Sequence, residues 1–174
     1  MRKDSVSLER GGGGSGSSAL GGPSADAASY RVLAFEDSYN IRAMLEDGGV
    51  TFGSFHQRWD SRSPVEALEE FGAEFGAVDV LLLDYYLPPI TGFKVLQQVN
   101  EAVRAGRVQR PRHIIGMSSV NACNVELLTE GADTAFVKWD VIMWEGWART
   151  QGSGSGNKEQ YLDTACCCRC CCGG

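Results

Sequence analysis

The sequence predicts an α/β domain in which helices cover both faces of a five-stranded parallel sheet. Short apolar runs alternate with amphipathic stretches five times between Tyr30 and Thr150. One of these runs, Val78–Leu83, is almost continuous in apolar residues, which is typical of a parallel strand covered on both sides. We therefore expect a three-layer αβα sandwich, with right-handed connections between its strands.

The regions outside this domain differ from it in composition. Residues 1–29 are rich in Gly, Ser and Ala, and residues 151–174 hold a Gly-Ser linker followed by a cysteine-rich tail. We expect the first region to be a disordered leader and the second a flexible extension, because neither offers enough apolar surface to offset the entropy of ordering. The domain itself is predicted at residues 30–150.

The first β-α unit begins with a predicted strand at Arg31–Phe35 that ends on Glu36 and Asp37. Ser38 is suited to cap the helix that follows, and three apolar residues then share one helical face: Ile41, Met44 and Leu45. Gly48 and Gly49 end this helix. A second strand is predicted near 50–55.

The next unit has the clearest helix start in the sequence. Ser63, Pro64 and Glu66 combine a cap, a proline at the first helical position and an acidic residue in the first turn, so a helix is predicted to run to about Phe75. The buried strand that follows ends at Asp84. After a Pro-Pro loop, four apolar residues at helical spacing indicate a third helix: Phe93, Leu96, Val99 and Val103.

The last part of the domain repeats the pattern. Residues 114–117 form a predicted strand that ends at Ser118, and Asn121 can cap a fourth helix that Gly131 terminates. The fifth strand, 135–137, ends at Lys138. A short fifth helix is predicted from five residues, of which the two tryptophans are expected to pack on the sheet: Val141, Ile142, Trp144, Trp147 and Ala148.

The predicted carboxyl ends of the strands carry polar residues of a particular kind. Ligands bind at this edge in open parallel sheets, and here it holds Glu36, Asp37, Asp84, Ser118 and Lys138. Three adjacent carboxylates repel one another, and a hard divalent cation with oxygen ligands would relieve that repulsion. Magnesium is favoured, with Mn²⁺ as the alternative. Lys138 and Ser118 would complete a cradle for a phosphoryl group, which makes Asp84 the expected acceptor.

These residues lie in motifs that resemble the receiver domain of two-component response regulators over about 30–149. The motifs are Phe35-Glu36-Asp37, the run from Leu82 through Asp84 and Pro88-Pro89 to Gly92, Met117-Ser118-Ser119, Gly131-Ala132-Asp133 and Val137-Lys138. The resemblance implies a flavodoxin-like fold. It also implies transfer of a phosphoryl group from a histidine kinase or a histidine phosphotransfer protein to Asp84, followed by slow hydrolysis.

The resemblance further assigns a role to each site residue. Glu36, Asp37 and Asp84 would bind Mg²⁺ together with the backbone carbonyl of Tyr86. Ser118 and Lys138 would contact the phosphoryl group. Signalling would then proceed by phosphorylation-dependent binding of a protein partner that the sequence does not identify, and a homodimer is left open.

Three positions depart from the family pattern. Trp139 stands where the family usually has a proline joined by a cis bond, and a cis bond before a non-proline residue costs about 2.5–4 kcal/mol, so we expect a trans bond. Ala135 replaces an aromatic residue whose rotation often accompanies phosphorylation. Tyr86 places a bulky ring two residues past Asp84. These departures keep a second hypothesis open, an inactive pseudo-receiver that acts as a scaffold.

Charge and composition exclude some functions. The chain carries a net charge of −6, so nucleic-acid binding through a basic face is not expected. The N-terminus has no apolar run typical of a secretory signal, and we expect a cytoplasmic signalling protein without catalytic output. Six cysteines lie close to the C-terminus: Cys166, Cys167, Cys168, Cys170, Cys171 and Cys172. S-acylation that tethers the protein to a membrane, soft-metal binding, redox sensitivity and simple low complexity all remain open for this tail.

Overall fold

The computed structural model describes residues 30–149. The predicted leader and the predicted cysteine tail lie outside these residues. The described elements, in chain order, are β1 (Arg31–Phe35), α1 (Ile41–Asp47), β2 (Val50–Thr51), β3 (Ser54–Arg58), α2 (Pro64–Phe75), β4 (Val80–Asp84), α3 (Gly92–Arg104), β5 (His113–Ser118), α4 (Asn121–Glu130), β6 (Thr134–Val137), a 3₁₀ helix (Lys138–Met143) and β7 (Ala148–Arg149).

The main sheet has five parallel strands in the order β3-β1-β4-β5-β6. This confirms the predicted α/β sandwich. The chain moves from β1 outward to β3 and then returns to add β4 on the other side of β1, so the strand order reverses between β1 and β4. A crevice for ligands is expected outside the carboxyl ends of strands at such a reversal.

Two apolar clusters cover the two faces of the sheet. Alternate residues of one strand belong to opposite clusters, as the two-residue period of a strand requires. In β4, Leu81 and Leu83 pack on the side of α2, α3 and α4, whereas Val80 and Leu82 pack on the side of α1. Every residue of β4 is buried. Residues 78–83 are therefore apolar almost throughout because the strand has no solvent-facing side.

The predicted second strand is two separate strands. Residues 54–58 form β3, which joins the main sheet beside β1, and residues 50–51 form β2, which pairs antiparallel with β7. The prediction of one strand near 50–55 was therefore wrong in its bounds. A turn at 52–53 separates the two pieces, and each finds its partner in a different part of the chain.

The predicted fifth helix is absent from the described residues. Residues 138–143 form a 3₁₀ helix, and the chain then turns so that β7 reaches β2. Trp147 is buried and donates its ring N–H to the Val141 carbonyl at 2.9 Å. A Cβ at Gly146 would lie 2.4 Å from the Trp144 ring, so this close approach needs glycine. Val141, Trp147 and Ala148 are thus buried against the sheet, although the segment that carries them is a 3₁₀ helix followed by a bend and not a continuous helix.

Helix capping also differs from the expectation. The Asn40 side chain, and not Ser38, caps α1 by accepting a hydrogen bond from Ala43 N–H at 3.0 Å. Ser63 has a left-handed backbone with φ of 47° and makes no capping bond, while α4 begins at Asn121 after Val120. The helix positions were predicted correctly where apolar spacing and proline set them. The identity of a cap depends on the local backbone angles, which the residue types did not define.

Among residues 30–149, no helix combines the length and the apolar character needed to cross a membrane.

Candidate functional site

Three carboxylates meet at the carboxyl edge of the sheet. Glu36 and Asp37 follow β1 directly, and Asp84 is the last residue of β4. These two strands are neighbours, and Phe35 pairs with Leu83, so the residues that follow lie side by side. One oxygen from each of Glu36, Asp37 and Asp84 lies within 4.8 Å of the others. The cluster is therefore a direct consequence of the strand order.

The Lys138 ammonium lies between two of these carboxylates. Its Nζ is 2.9 Å from Glu36 Oε2 and 3.0 Å from Asp84 Oδ2. Lys138 follows β6, which is two strands away from β4, so its long side chain has to reach past the end of β5. All three residues are buried. Asp84 and Lys138 thus form a hydrogen-bonded ion pair, although they are 54 residues apart in the sequence.

Burial and ionic contacts shift the pKa values of Asp84 and Lys138. Loss of solvent raises the pKa of Asp84 to about 6, and the charge of Glu36 adds to the rise, while Lys138 opposes it. For Lys138, burial alone would lower the pKa, but the contacts with Glu36 and Asp84 outweigh it and raise the pKa above its ordinary value. Within the described residues, the Lys138 ammonium is in ionic contact with Glu36 and Asp84, and no ion pair neutralises the neighbouring Asp37. Negative charge therefore exceeds positive charge in this cluster, and binding of a further cation would reduce the excess.

Glu36 offers a free ligand atom for such a cation. Its Oε1 accepts hydrogen bonds from the backbone N–H groups of Ser38 at 2.9 Å and Tyr39 at 3.1 Å. Its Oε2 is buried and accepts no well-directed hydrogen bond within the described residues, although the Lys138 ammonium is in ionic contact with it. A buried oxygen with free lone pairs beside two other carboxylates fits a hard, oxygen-preferring cation such as Mg²⁺.

Gln57 braces the acidic loop and was not anticipated from the sequence. Its side-chain nitrogen donates to the carbonyls of Glu36 at 3.1 Å and Tyr39 at 2.7 Å, and its side-chain oxygen accepts from Ile41 N–H at 3.1 Å. The amide thereby ties β3 to two points of the β1–α1 loop and to the first residue of α1. Nothing in the pattern of β3 distinguishes Gln57 from an ordinary polar residue of an edge strand.

Ser118, the predicted phosphoryl contact, is the last residue of β5. It is fully buried and pairs in register with Val137, the neighbour of Lys138. Its hydroxyl oxygen accepts a hydrogen bond from Val120 N–H at 3.2 Å. Asn124 of α4 holds this edge together, because its side-chain nitrogen donates to the carbonyls of Ser118 at 3.2 Å and Phe136 at 2.8 Å.

The loop after Asp84 is fixed by a glycine. Gly92 donates its N–H to the Tyr85 carbonyl at 2.7 Å, and a Cβ at this position would lie 1.9 Å from the Asp84 carbonyl oxygen. Only glycine permits this approach. Tyr85 N–H in turn donates to Asp84 Oδ1 at 2.8 Å, which orients the carboxylate.

Two of the three positions that depart from the family pattern, Tyr86 and Trp139, have exposed side chains, whereas Ala135 lies within β6 and pairs with Gly116. Tyr86 is exposed and its hydroxyl lies 3.5 Å from the Cys123 sulfur. The bond between Lys138 and Trp139 is trans, as expected, since the cis bond found in residues 30–149 joins Pro88 and Pro89.

Comparison with known proteins gives relatives of one kind. The rice response regulator ORR5 (Oryza sativa) is 31% identical over 107 residues, which cover 62% of this chain and 76% of that protein. ORR11, also from rice, is 31% identical and is covered over 69% of its length. The transcriptional regulatory protein CitT of Halalkalibacterium halodurans is 31% identical over 75 residues, and the match spans only 33% of its length. No family model matches the chain.

Solved structures of receiver domains share the fold. The signal receiver domain of a LuxO repressor protein from Vibrio parahaemolyticus has a TM-score of 0.50 and 20% identity, covering 66% of this chain and 85% of that chain. The receiver domain of the Arabidopsis thaliana histidine kinase CKI1, in complex with Mg²⁺ and BeF₃⁻, has a TM-score of 0.50 and 17% identity, with coverage of 66% and 85%.

The fold is therefore the flavodoxin-like α/β fold of receiver domains. The chain belongs to the response regulators of two-component systems, and residues 30–149 contain their receiver domain.

Proposed function

We propose that this receiver accepts a phosphoryl group on Asp84 in a Mg²⁺-dependent reaction. The donor would be a phosphohistidine on a histidine kinase or a histidine phosphotransfer protein. The observation that carries the proposal is the surplus of negative charge around Asp84. Oxygens of Glu36, Asp37 and Asp84 lie within 4.8 Å of one another, whereas within residues 30–149 the cation in ionic contact with this group is Lys138, which contacts Glu36 and Asp84. Such a site is completed by a divalent cation and by a phosphoryl group that the cation and the lysine neutralise together.

The covalent step is a transfer between two protein side chains. A carboxylate oxygen of Asp84 forms a bond to phosphorus, the bond from phosphorus to the imidazole nitrogen of the donor breaks, and the electron pair returns to the imidazole. Bound Mg²⁺ would supply positive charge to the phosphoryl oxygens, held by Glu36, Asp37 and Asp84 and by the Tyr86 carbonyl. The two products are an acyl phosphate and a free histidine, so no further reactant is needed.

Lys138 and Ser118 would respond to the new group. The ammonium now contacts an Asp84 oxygen, and it would move to a phosphoryl oxygen while keeping its contact with Glu36. Ser118 would donate its hydroxyl proton to another phosphoryl oxygen, which draws the end of β5 toward Asp84. Asn124 links that end to β6, so the shift would be passed to a neighbouring strand. With Ala135 in β6, the signal would travel by backbone displacement and be read by a binding partner.

The pseudo-receiver remains the second hypothesis. Tyr86 and Trp139 are bulky and exposed, and they stand close in sequence to Asp84 and Lys138, so either ring would obstruct a donor histidine that approaches from its side. If these rings closed the site, the domain would bind partners without being phosphorylated. In the active receiver, the same Tyr86 ring would slow the attack of water on the acyl phosphate.

Binding of beryllofluoride separates these hypotheses. The CKI1 receiver was solved with Mg²⁺ and BeF₃⁻, which makes this anion a suitable probe. We expect Mg²⁺-dependent beryllofluoride binding and phosphorylation by acetyl phosphate in the wild type and in Glu74→Ala, an exposed acidic residue of α2, but not in Asp84→Ala. Failure of the wild type to bind beryllofluoride at millimolar Mg²⁺ would favour the scaffold.

Tyr86→Asn tests the role of the ring at the rim. If the ring excludes water, the variant should lose its phosphoryl group several times faster than the wild type, which can be followed with radiolabelled phosphate after removal of the donor. An unchanged rate of dephosphorylation would refute a shielding role for Tyr86.

The remaining expectations concern the rest of the chain. We propose a cytoplasmic location, a downstream protein partner and, as an open possibility, a homodimer. A tether through acylation of Cys166, Cys167, Cys168, Cys170, Cys171 and Cys172 concerns residues that are outside the described part. Labelling with a palmitate analogue, compared with a variant in which all six are serine, tests it.

A further inference from the structure

An aromatic pair spans the outer side of the site. The ring of Tyr39, in the loop after β1, meets the ring of Trp139, which follows Lys138, at a centroid distance of 4.7 Å and an interplanar angle of 88°. This edge-to-face arrangement is a favourable one for two aromatic rings. The pair connects the β1–α1 loop with the 3₁₀ helix, which is far away in sequence, and 47% of Tyr39 and 44% of Trp139 remain exposed.

The Tyr39 ring also contacts the buried lysine. Lys138 Nζ lies 5.1 Å from the centroid of the ring, within the range of a cation–π interaction. The ammonium is therefore contacted by the carboxylates of Glu36 and Asp84 and also by the electron-rich face of an aromatic ring. A cation–π interaction is strongest where the cation is removed from water, and Lys138 is buried.

The backbone of Tyr39 is held on both sides. Its N–H donates to Glu36 Oε1 at 3.1 Å, and its carbonyl accepts from the Gln57 side chain at 2.7 Å. The Trp139 ring restricts the Tyr39 side chain in addition. The ring is consequently placed over the ammonium by a contact within its own loop, to Glu36, and by contacts with β3 and with the 3₁₀ helix.

These contacts restrict the position of the Lys138 side chain. Lys138 begins the 3₁₀ helix and precedes a trans bond to Trp139, so no proline ring restricts the backbone beside it. We infer that Tyr39 and Trp139 are positioning residues: Tyr39 holds the Lys138 ammonium against Asp84 and Glu36 by a cation–π contact, and Trp139 holds the Tyr39 ring. The consequence for phosphoryl binding rests on the proposed function, whereas the placement of the ammonium does not.

The placement is tested in the protein without any ligand. Exchange of the Lys138 ammonium protons with water is measured by ¹⁵N NMR in the wild type, Tyr39→Phe and Tyr39→Leu. Phenylalanine keeps the ring face, and leucine keeps apolar bulk without it. We expect slow exchange in the wild type and in the Phe variant, and exchange about tenfold faster in the Leu variant. The exchange rate in Trp139→Ala should lie between those of the two Tyr39 variants, and Trp139→Phe should exchange as slowly as the wild type.

The effect on the site is measured with beryllofluoride. At saturating Mg²⁺, Tyr39→Leu should bind the anion about fivefold to tenfold more weakly than Tyr39→Phe, because the lysine that contacts it is less well placed. The affinity for Mg²⁺ alone should be the same in both variants. Trp59→Leu, a change at an exposed tryptophan of the loop after β3, is the matched control and should behave as the wild type in both measurements.

Each outcome decides the matter. Equal ammonium exchange in the Phe and Leu variants would refute the positioning role, as would equal beryllofluoride affinity in a wild type that binds it. If the wild type binds no beryllofluoride, the proposed function fails, and the ammonium exchange alone then decides whether the aromatic pair positions Lys138. A parallel loss of Mg²⁺ affinity in the Leu variant would show a general disturbance of the loop and would also count against the inference.

Discussion

The two ends of β4 carry aspartates with opposite electrostatic behaviour. Asp79 lies just before the strand and pairs with Arg31, whereas Asp84 ends the strand and pairs with Lys138. The pKa of Asp79 is lowered, chiefly by its hydrogen bond with the Arg31 side chain. The pKa of Asp84 is raised to about 6, chiefly by burial. Both residues have a basic partner, so the presence of a partner does not explain the difference.

The difference follows from how completely each carboxylate is satisfied. Arg31 donates to Asp79 through two side-chain nitrogens, at 2.7 and 3.0 Å, and also through its backbone N–H at 3.0 Å. Arg31 is therefore the counter-charge of Asp79 alone, and both side chains keep some contact with solvent. At the other end, a single ammonium is shared by Asp84 and Glu36 away from water. The first carboxylate is satisfied by its own cation, whereas the second shares its cation with another buried carboxylate.

Removal of Lys138 should have the largest effect on stability. Lys138→Met leaves Glu36 and Asp84 buried without a counter-charge, and the loss of one partner from a buried ion pair costs about 3–5 kcal/mol. We expect a decrease of this size in the free energy of unfolding at pH 7, measured by urea denaturation, and a smaller decrease at pH 5, where a carboxyl takes up a proton. A variant as stable as the wild type at pH 7 would show that the site is not electrostatically strained.

The pH dependence of the metal-free protein should have a sign set by Asp84. Its pKa is about 6 when folded and near 3.9 when unfolded, so the folded state binds the proton more tightly. The contribution of Asp84 to the free energy of unfolding should therefore fall as pH rises from about 4 to 6, by up to roughly 3 kcal/mol, which the difference between the wild type and an Asp84 variant isolates. Asp84→Asn should remove this fall, and added Mg²⁺ should oppose it in the wild type because the cation binds the charged carboxylate.

At the opposite end of β4, the contribution of Asp79 to the free energy of unfolding should be smaller and should rise, not fall, with increasing pH. Because the pKa of Asp79 is lowered on folding, its contribution to stability is present above the unfolded pKa and is lost as pH falls through the folded value. Arg31 is partly exposed, so the cost of Arg31→Met should be only about 1 kcal/mol at neutral pH. This variant should leave Mg²⁺ and beryllofluoride binding unchanged. A change in either would mean that the two ends of β4 are coupled.

The residues themselves were sufficient to predict the sheet and its edge cluster. The apolar run of β4 and the polar residues that close four of the five strands indicated which ends converge, and the parallel order then places Glu36 next to Asp84. The segment after Lys138 was predicted wrongly as a helix. Its apolar spacing suits a helix, but β7 pairs with β2, a strand from a distant part of the sequence. The chain bends to reach that partner, and Trp147 is held in the bend by a local hydrogen bond to the Val141 carbonyl.

Local pattern and chain order by themselves determined the fold class and the chemistry of the edge, because alternation, apolar runs and strand-terminal charges are short-range features. Only the tertiary structure decided how that edge is held. Gln57, Asn124 and the pair of Tyr39 with Trp139 act through contacts between elements that are distant in sequence. A polar or aromatic residue looks the same in the sequence whether it faces solvent or braces a loop, since its role depends on which neighbours folding brings within a few ångström.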